Sequence, residues 1–200
     1  MDTAKAADLI GVGVAVGLSE PAHGTTRWRV DRWDEDQTDW VARRCQGQPD
    51  AADFGLLGVD PYLTTELTGN LITNAGWTRL LNLLIGTGST QAADATHTRI
   101  GVGDSNTAEA YTDTALTAAT NKLYKLVSGA GTVGTRTLSF AATFGTSDAN
   151  WAWNEFGIDI GATADSTTVA AVFLNHKAGI AQGTKASGQT WTATATLTFT

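Results

Sequence analysis

The clearest pattern in the chain is the alternation in WTATATLTFT (191–200). Trp191, Ala193, Ala195, Leu197 and Phe199 fall on one side of an extended backbone, and Thr192, Thr194, Thr196, Thr198 and Thr200 on the other. β-Branched threonines suit a pleated surface and tolerate water, so this segment reads as a half-buried strand whose apolar face needs a second layer. Shorter runs of the same kind are THTRIGVG (96–103), NKLYKLVSG (121–129), RTLSFAATFG (136–145), NWAWNEFGIDIG (150–161) and TVAAVFLNHK (168–177). Each is bounded by turn-forming Gly, Asp, Asn or Ser. Only TNAGWTRLLNLLIG (73–86) has a helical period: Trp77, Leu80, Leu81 and Leu84 stand at i, i+3, i+4 and i+7. Thr73 or Asn74 can cap its start and Gly86 its end, and the apolar stripe is expected to lie on a sheet as core. Six strands, one helix about 73–86 and no alternation of strands with helices predict a mainly β chain: an antiparallel β-sandwich or jelly-roll-like domain.

Nearer the N-terminus, TRWRVDRW (26–33) and TDWVARRC (38–45) read as two strands joined at an acidic tip, DEDQ, with Trp28 and Val30 on one face. QGQPDAADFG (46–55) has no period and reads as a loop. LIGVGVAVGL (9–18) is too short to cross a bilayer, which takes about 20 apolar residues. Asp2 and Asp8 spoil a basic leader ahead of it. Its bare face of Gly11, Gly13, Ala15 and Gly17 suits a first strand, or an arm that adds to a neighbouring subunit. The expected organisation is an N-terminal arm or strand at 1–26, a β-hairpin and linker at 27–69, and a β-sandwich with one helix at 70–200.

Composition narrows the partners. At 42% hydrophobic, 200 residues can bury a substantial core, and Gly 22 against Pro 3 fits an all-β chain with many tight turns. A net charge of -7 argues against a nucleic-acid surface, and nothing calls for a membrane. The one cysteine, Cys45, excludes an intramolecular disulfide and fits folding in a reducing cytoplasm.

Reactive constellations were sought and none emerges from the spacing. His23, His97 and His176 lack partners at metal-ligand spacing. Ser105 and Ser187 stand outside a nucleophile elbow, and GVGDSN and GTGST lack the features of phosphate loops. Glu155 and Asp159 share a strand face with Cα atoms about 13 Å apart, too far for a glycosidase pair. Glu155 is expected to face a partner strand, a neighbouring subunit or solvent. Asp104, Asn106 and Glu109 are the nearest approach to a calcium loop, but Ala108 and Glu109 take the fifth and sixth positions, so at most a weak ion site remains. The expectation is no enzyme, no cofactor and no metal. Among Arg27, Trp28, Arg29, Arg32, Trp33, Trp40, Arg43 and Arg44, interleaved acids cancel the charge, so a salt-bridged hairpin or a protein interface is favoured over RNA or glycan stacking.

In order along the chain, GNLITNAGWTRLLNLLIG, THTRIGVGDSNTAEAYTDTAL, LSFAATFGTSDANWAWNEFGIDIG, FLNHKAG and KASGQTWTATATLTFT resemble segments of virion structural proteins of tailed bacteriophages, notably those of actinobacteria. The likeness spans approximately residues 27–200 and is specific as a set. It implies a capsid decoration (cement) or head protein, or alternatively a tail- or fibre-associated protein, located in the virion and assembled in the host cytoplasm. The partners it implies are the major capsid protein and copies of the chain itself, as a trimer at a symmetry axis. The alternative implies other tail proteins or a host surface glycan, for which Trp151, Trp153 and Tyr111 would line a groove. For shell contact the expected anchors are Trp28, Trp33, Trp40 and Arg43, since buried Trp and Arg dominate interface energetics.

Overall fold

The computed structural model describes residues 24–87, 91–129 and 131–199. The expectations for an arm or first strand at 9–18 and for His23 therefore fall outside the described residues. Among those residues the strands are β1 (Gly24–Trp33), β2 (Leu63–Thr68), β3 (Leu71–Ile72), β4 (Thr98–Gly103), β5 (Lys122–Leu126), β6 (Thr132–Gly134), β7 (Thr137–Phe144), β8 (Glu155–Ile160), β9 (Val172–Ala178) and β10 (Thr190–Phe199). The helices are α1 (Glu35–Cys45), α2 (Ala51–Leu56) and α3 (Asn74–Ile85).

The strands form two five-stranded antiparallel sheets, ordered β2-β1-β10-β7-β6 and β3-β9-β8-β4-β5. Their inner faces meet in one core, with Trp28 of β1 stacked on Phe156 of β8 at 4.8 Å between ring centroids. The mainly β fold expected from the pattern is the fold found. The small residues of β10 explain how the layers close: Ala195 pairs with Trp28 on one side and Phe140 on the other, and Ala193 with Val30 and Ala142. A central strand carrying alanine between bulky neighbours leaves room for the rings, which is how interiors reach close packing. On the opposite face of the same sheet, hydroxyls pair across strands, Thr143 with Thr192 at 3.1 Å and Ser139 with Thr196 at 2.8 Å.

The expected hairpin over 26–45 is half correct. Residues 24–33 are a strand, but 38–45 belong to helix α1, and the acidic tip is its start: Asp34 accepts from the Gln37 amide while the Gln37 side chain accepts from the Asp34 amide. Glu35 and Asp36 in the first turn and Arg43 and Arg44 in the last suit the helix dipole. Asp50 and Asp53 make the same reciprocal cap at α2, inside the expected loop. Both helices seal a second small core of Trp33, Val41 and Phe54, with Trp33 and Phe54 stacked at 4.2 Å. β1 pairs along its whole length with β10 and on its other side with β2, so both strands of the 27–69 stretch belong to the first sheet.

Helix α3 runs where the period placed it, with Thr73 accepting from the Gly76 amide at the start and Gly86 in the left-handed region at the end. Its burial departs from expectation. Gly76 is its one buried residue, seated so tightly on β9 that a Cβ there would collide with the Leu174 carbonyl. Trp77 and Leu80 are half-buried, while Leu81, Leu84 and Ile85 are 57%, 82% and 70% exposed. The helix seats its first turn on β9 and packs Leu80 against the core, while Leu81, Leu84 and Ile85 face away from it.

Candidate functional site

The outer face of the second sheet carries most of the buried charge in the described residues. Gly101, Gly103 and Gly157 keep that face bare, and side chains lie down across it: a Cβ on Gly103 would strike the Glu155 carboxylate, and one on Gly157 the Phe173 ring. Glu155 and His176 are both fully buried, 2.9 Å apart through Nε2. The other ring nitrogen, Nδ1, meets Asp113 at 2.6 Å. Glu155 also accepts from the amides of Thr117 and Ala118 and from the Thr117 hydroxyl, at 2.8–2.9 Å. Three of these partners belong to the segment 104–121 between β4 and β5, so the network fastens that segment over the sheet. Tyr124 adds to the seal, its hydroxyl accepting from the Leu116 amide at 2.7 Å.

Burial disfavours charge on Glu155, but the His176, Thr117 and Ala118 hydrogen bonds outweigh it and hold the carboxyl below its ordinary pKa. Burial likewise opposes the imidazolium of His176, and the two flanking carboxylates overcome it and raise its pKa. With a carboxylate oxygen at each ring nitrogen, the imidazolium form can donate at both. Along the same strand, Asp159 is tied by Arg99 through Nε at 2.8 Å and also through Nη2. Arg99 continues to the carbonyls of Ala164 and Thr168, holding down the segment after β8. Glu155 thus meets His176 on the paired strand β9, one of the surroundings expected of it, and the 104–121 segment as well, while Asp159 meets Arg99 on the paired strand β4; every carboxylate oxygen is engaged.

At one end of the sandwich lie two further buried cations. Lys185 donates to the Gly145 carbonyl at 2.7 Å and to Asn150 Oδ1 at 2.8 Å, and burial pulls its pKa down to about 8 against the opposing charge of Asp148. Arg32 donates through Nη2 to the backbone and side-chain oxygens of Gln182 and lies 4.5 Å over the Trp191 ring.

The expected interface set divides. Trp28 and Trp33 are core residues, 0% and 4% exposed, and offer no surface to a partner. The alternation of β1 points Trp28 into the sandwich, whereas Trp33, on the opposite face, is covered by Val41 of α1 and Phe54 of α2. Trp40 and Arg43 remain on the outer face of α1, where the Arg44 guanidinium lies 3.4 Å over the Trp40 ring. The aromatic groove expected of Trp151, Trp153 and Tyr111 is not assembled: Trp153 is fully buried against Phe144, Phe156 and Trp191. In the loop Asp104–Glu109, Glu109 pairs with Lys177 at 3.0 Å and accepts from the Ala178 amide, and Asp104 accepts from Asn121. Those contacts fasten the loop to β9 and to Asn121, the residue before β5, instead of leaving ligands free. Among the described residues no group of three or more His, Cys, Asp or Glu side chains could hold a metal ion. His97 bonds Asp94 at 2.7 Å, and Ser105 turns back to the Thr107 amide.

One surface that the sequence reading assigned to the core is open: a groove of about 330 Å³ between α3 and the end of β10, lined by Trp77, Leu80, Leu81, Leu83, Leu84 and Phe199. No protein-family model, curated protein or solved structure matches the chain.

Proposed function

We propose that the chain is a non-enzymatic structural protein of a bacteriophage virion, a decoration protein that binds the outside of the head and stiffens it. The reading is carried by how the chain spends its buried charge: Glu155, Asp159, Arg99 and His176 are all consumed in fastening segments 104–121 and 161–171 over the sheet. Catalytic acids and bases need a reacting atom within hydrogen-bond reach, and these groups already have all their partners. The resemblance of the ordered segments to those of virion structural proteins supports the same reading. Shell contact falls to what remains exposed of the expected anchors, Trp40 and Arg43, with Arg44 stacked on Trp40 beside them on α1. A stacked Trp–Arg pair is stiff and presents both apolar area and charge. Repetition on a symmetric shell multiplies such modest contacts.

Immunogold labelling of intact virions with antibody to this chain tests the assignment. Label over the head is expected. Label confined to the tail would replace it with the tail-associated reading, and unlabelled particles would overturn both. On purified heads, Trp40→Ala/Arg43→Ala is expected to reduce bound chain about tenfold or more while folding like the parent, and undiminished binding would remove α1 as the contact.

A further inference from the structure

Just past the end of β7, a lysine amine and an asparagine carboxamide face each other out of reach of water. Lys185 is fully buried, yet among the described residues its Nζ meets no carboxylate at ion-pair distance. Its partners are the Gly145 carbonyl at 2.7 Å and Asn150 Oδ1 at 2.8 Å. An ammonium buried without an ion pair is costly, so a change that removes the charge and keeps a hydrogen bond is favoured. Burial already draws the amine down to about 8, which brings its neutral, nucleophilic form within reach.

The carboxamide is held from the other side. Asn150 Nδ2 donates to the Thr146 carbonyl at 3.0 Å, which turns Oδ1 toward Lys185. The two chain segments are clamped by backbone pairing: the Lys185 amide donates to the Trp151 carbonyl, the Trp153 amide to the Gly183 carbonyl, and Ala152 bridges Thr184. With a C=O bond of about 1.2 Å, Asn150 Cγ lies within about 4 Å of Nζ. That is a small movement from the separation of about 3–3.5 Å at which bound groups react, and fixing two groups so closely gives them a high effective molarity. Asn150 is only half-buried, which leaves a small product a way out.

We propose that Lys185 and Asn150 join in an intramolecular isopeptide bond, a covalent staple between the loop after β7 and the segment leading into β10. The Nζ lone pair attacks Cγ. The Cγ–Nδ2 bond breaks with its electron pair on Nδ2, and one Nζ proton follows to that nitrogen. Amine and carboxamide thus become a secondary amide and ammonia, with no oxidant or reductant. The product is uncharged, and its N–H still has the Gly145 carbonyl to donate to. The reaction occurs once per molecule and can be slow; until it occurs, Lys185 titrates as the free amine.

Intact-mass spectrometry of the full-length chain is the test. Folded parent held for several days above about pH 8, where the amine is largely neutral, is expected to lose the mass of one ammonia, while Lys185→Met keeps its full mass. Trypsin should then release residues 137–177 joined to 178–200 as one branched peptide, because an acylated Lys185 is no longer a cleavage site. The branched peptide locates the bond within the parent alone, so the outcome stands whether or not Lys185→Met folds. An unchanged parent mass overturns the proposal. Ammonia loss with complete cleavage after Lys185, or an equal loss in Lys185→Met, assigns the loss to another asparagine and overturns it too.

Discussion

The second sheet is covered by two segments in opposite ways. The 104–121 segment has little apolar material, Leu116 and Ala118 being its buried hydrophobic side chains, and is sealed by a buried carboxylate and imidazole with complete hydrogen bonding. Helix α3 is rich in leucine yet meets the sheet through a glycine and a cap, Thr73 bonding both to β9 and to the Gly76 amide. Hydrophobic content does not by itself decide which covering element is better fixed. A saturated polar network fixes position because each donor and acceptor has one acceptable place, whereas an apolar stripe without an opposing surface fixes nothing.

That contrast can be broken from either side. The largest effect is expected for Glu155→Gln, which leaves His176 and the Thr117 and Ala118 amides with a neutral partner of the wrong donor pattern. Loss of one member of a buried charge pair costs about 3–5 kcal/mol, readable in urea unfolding. Gly76→Ala comes next, since the added methyl meets the Leu174 backbone and cannot be accommodated by a side-chain rotation; overpacking of this kind costs about 1–3 kcal/mol. Leu81→Asp/Leu84→Asp should cost clearly less than either, about 1 kcal/mol or below, because both side chains are mostly exposed. A double variant as costly as Glu155→Gln would mean that α3 is fastened by its leucines after all.

The buried charges also give stability a pH dependence. Glu155 sits below its ordinary pKa in the fold, so its contribution is present above the unfolded value, about 4.3, and fades as pH falls through the lower folded value. His176 is raised, so its contribution is complete below about 6.5 and fades as pH climbs through the folded value. Lys185 is depressed to about 8, so protonation opposes folding, and stability attributable to it rises as pH goes from about 8 to about 10.4. Subtracting the stability profile of Lys185→Met from that of the parent should reveal this rise, and a flat difference would contradict it.

Much of the sandwich was legible because its signals are local. The period of two in β10 and the turn residues around β4, β5, β7, β8 and β9 need no knowledge of neighbours. The caps of α3 were readable for the same reason. Helix α1 was missed although its signal was present: Asp34 and Gln37 stand in capping-box spacing before Thr38 and Val41, its buried positions, but DEDQ was taken for a turn. The inward orientation of Trp28 was given by the alternation of β1 with Val30, whereas the burial of Trp33 on the opposite face depends on α1 and α2, the two helices that were not expected. Other features depend on tertiary placement and leave no trace in spacing. Glu155, His176 and Asp113 come from β8, β9 and a loop, and meet only when β8 and β9 pair. The exposure of Leu81 and Leu84 follows from where Gly76 allows the helix to touch β9, which the helical period does not specify.

The central claim is that buried charge in this molecule holds the covering segment in place, independently of the apolar face of α3. Hydrogen exchange at the Thr117 and Ala118 amides tests it most directly. The account predicts slow exchange in the parent and in Leu81→Asp/Leu84→Asp, and acceleration by at least tenfold in Glu155→Gln under conditions where that variant stays folded. Unchanged exchange in folded Glu155→Gln, or equal acceleration in the α3 variant, would contradict it.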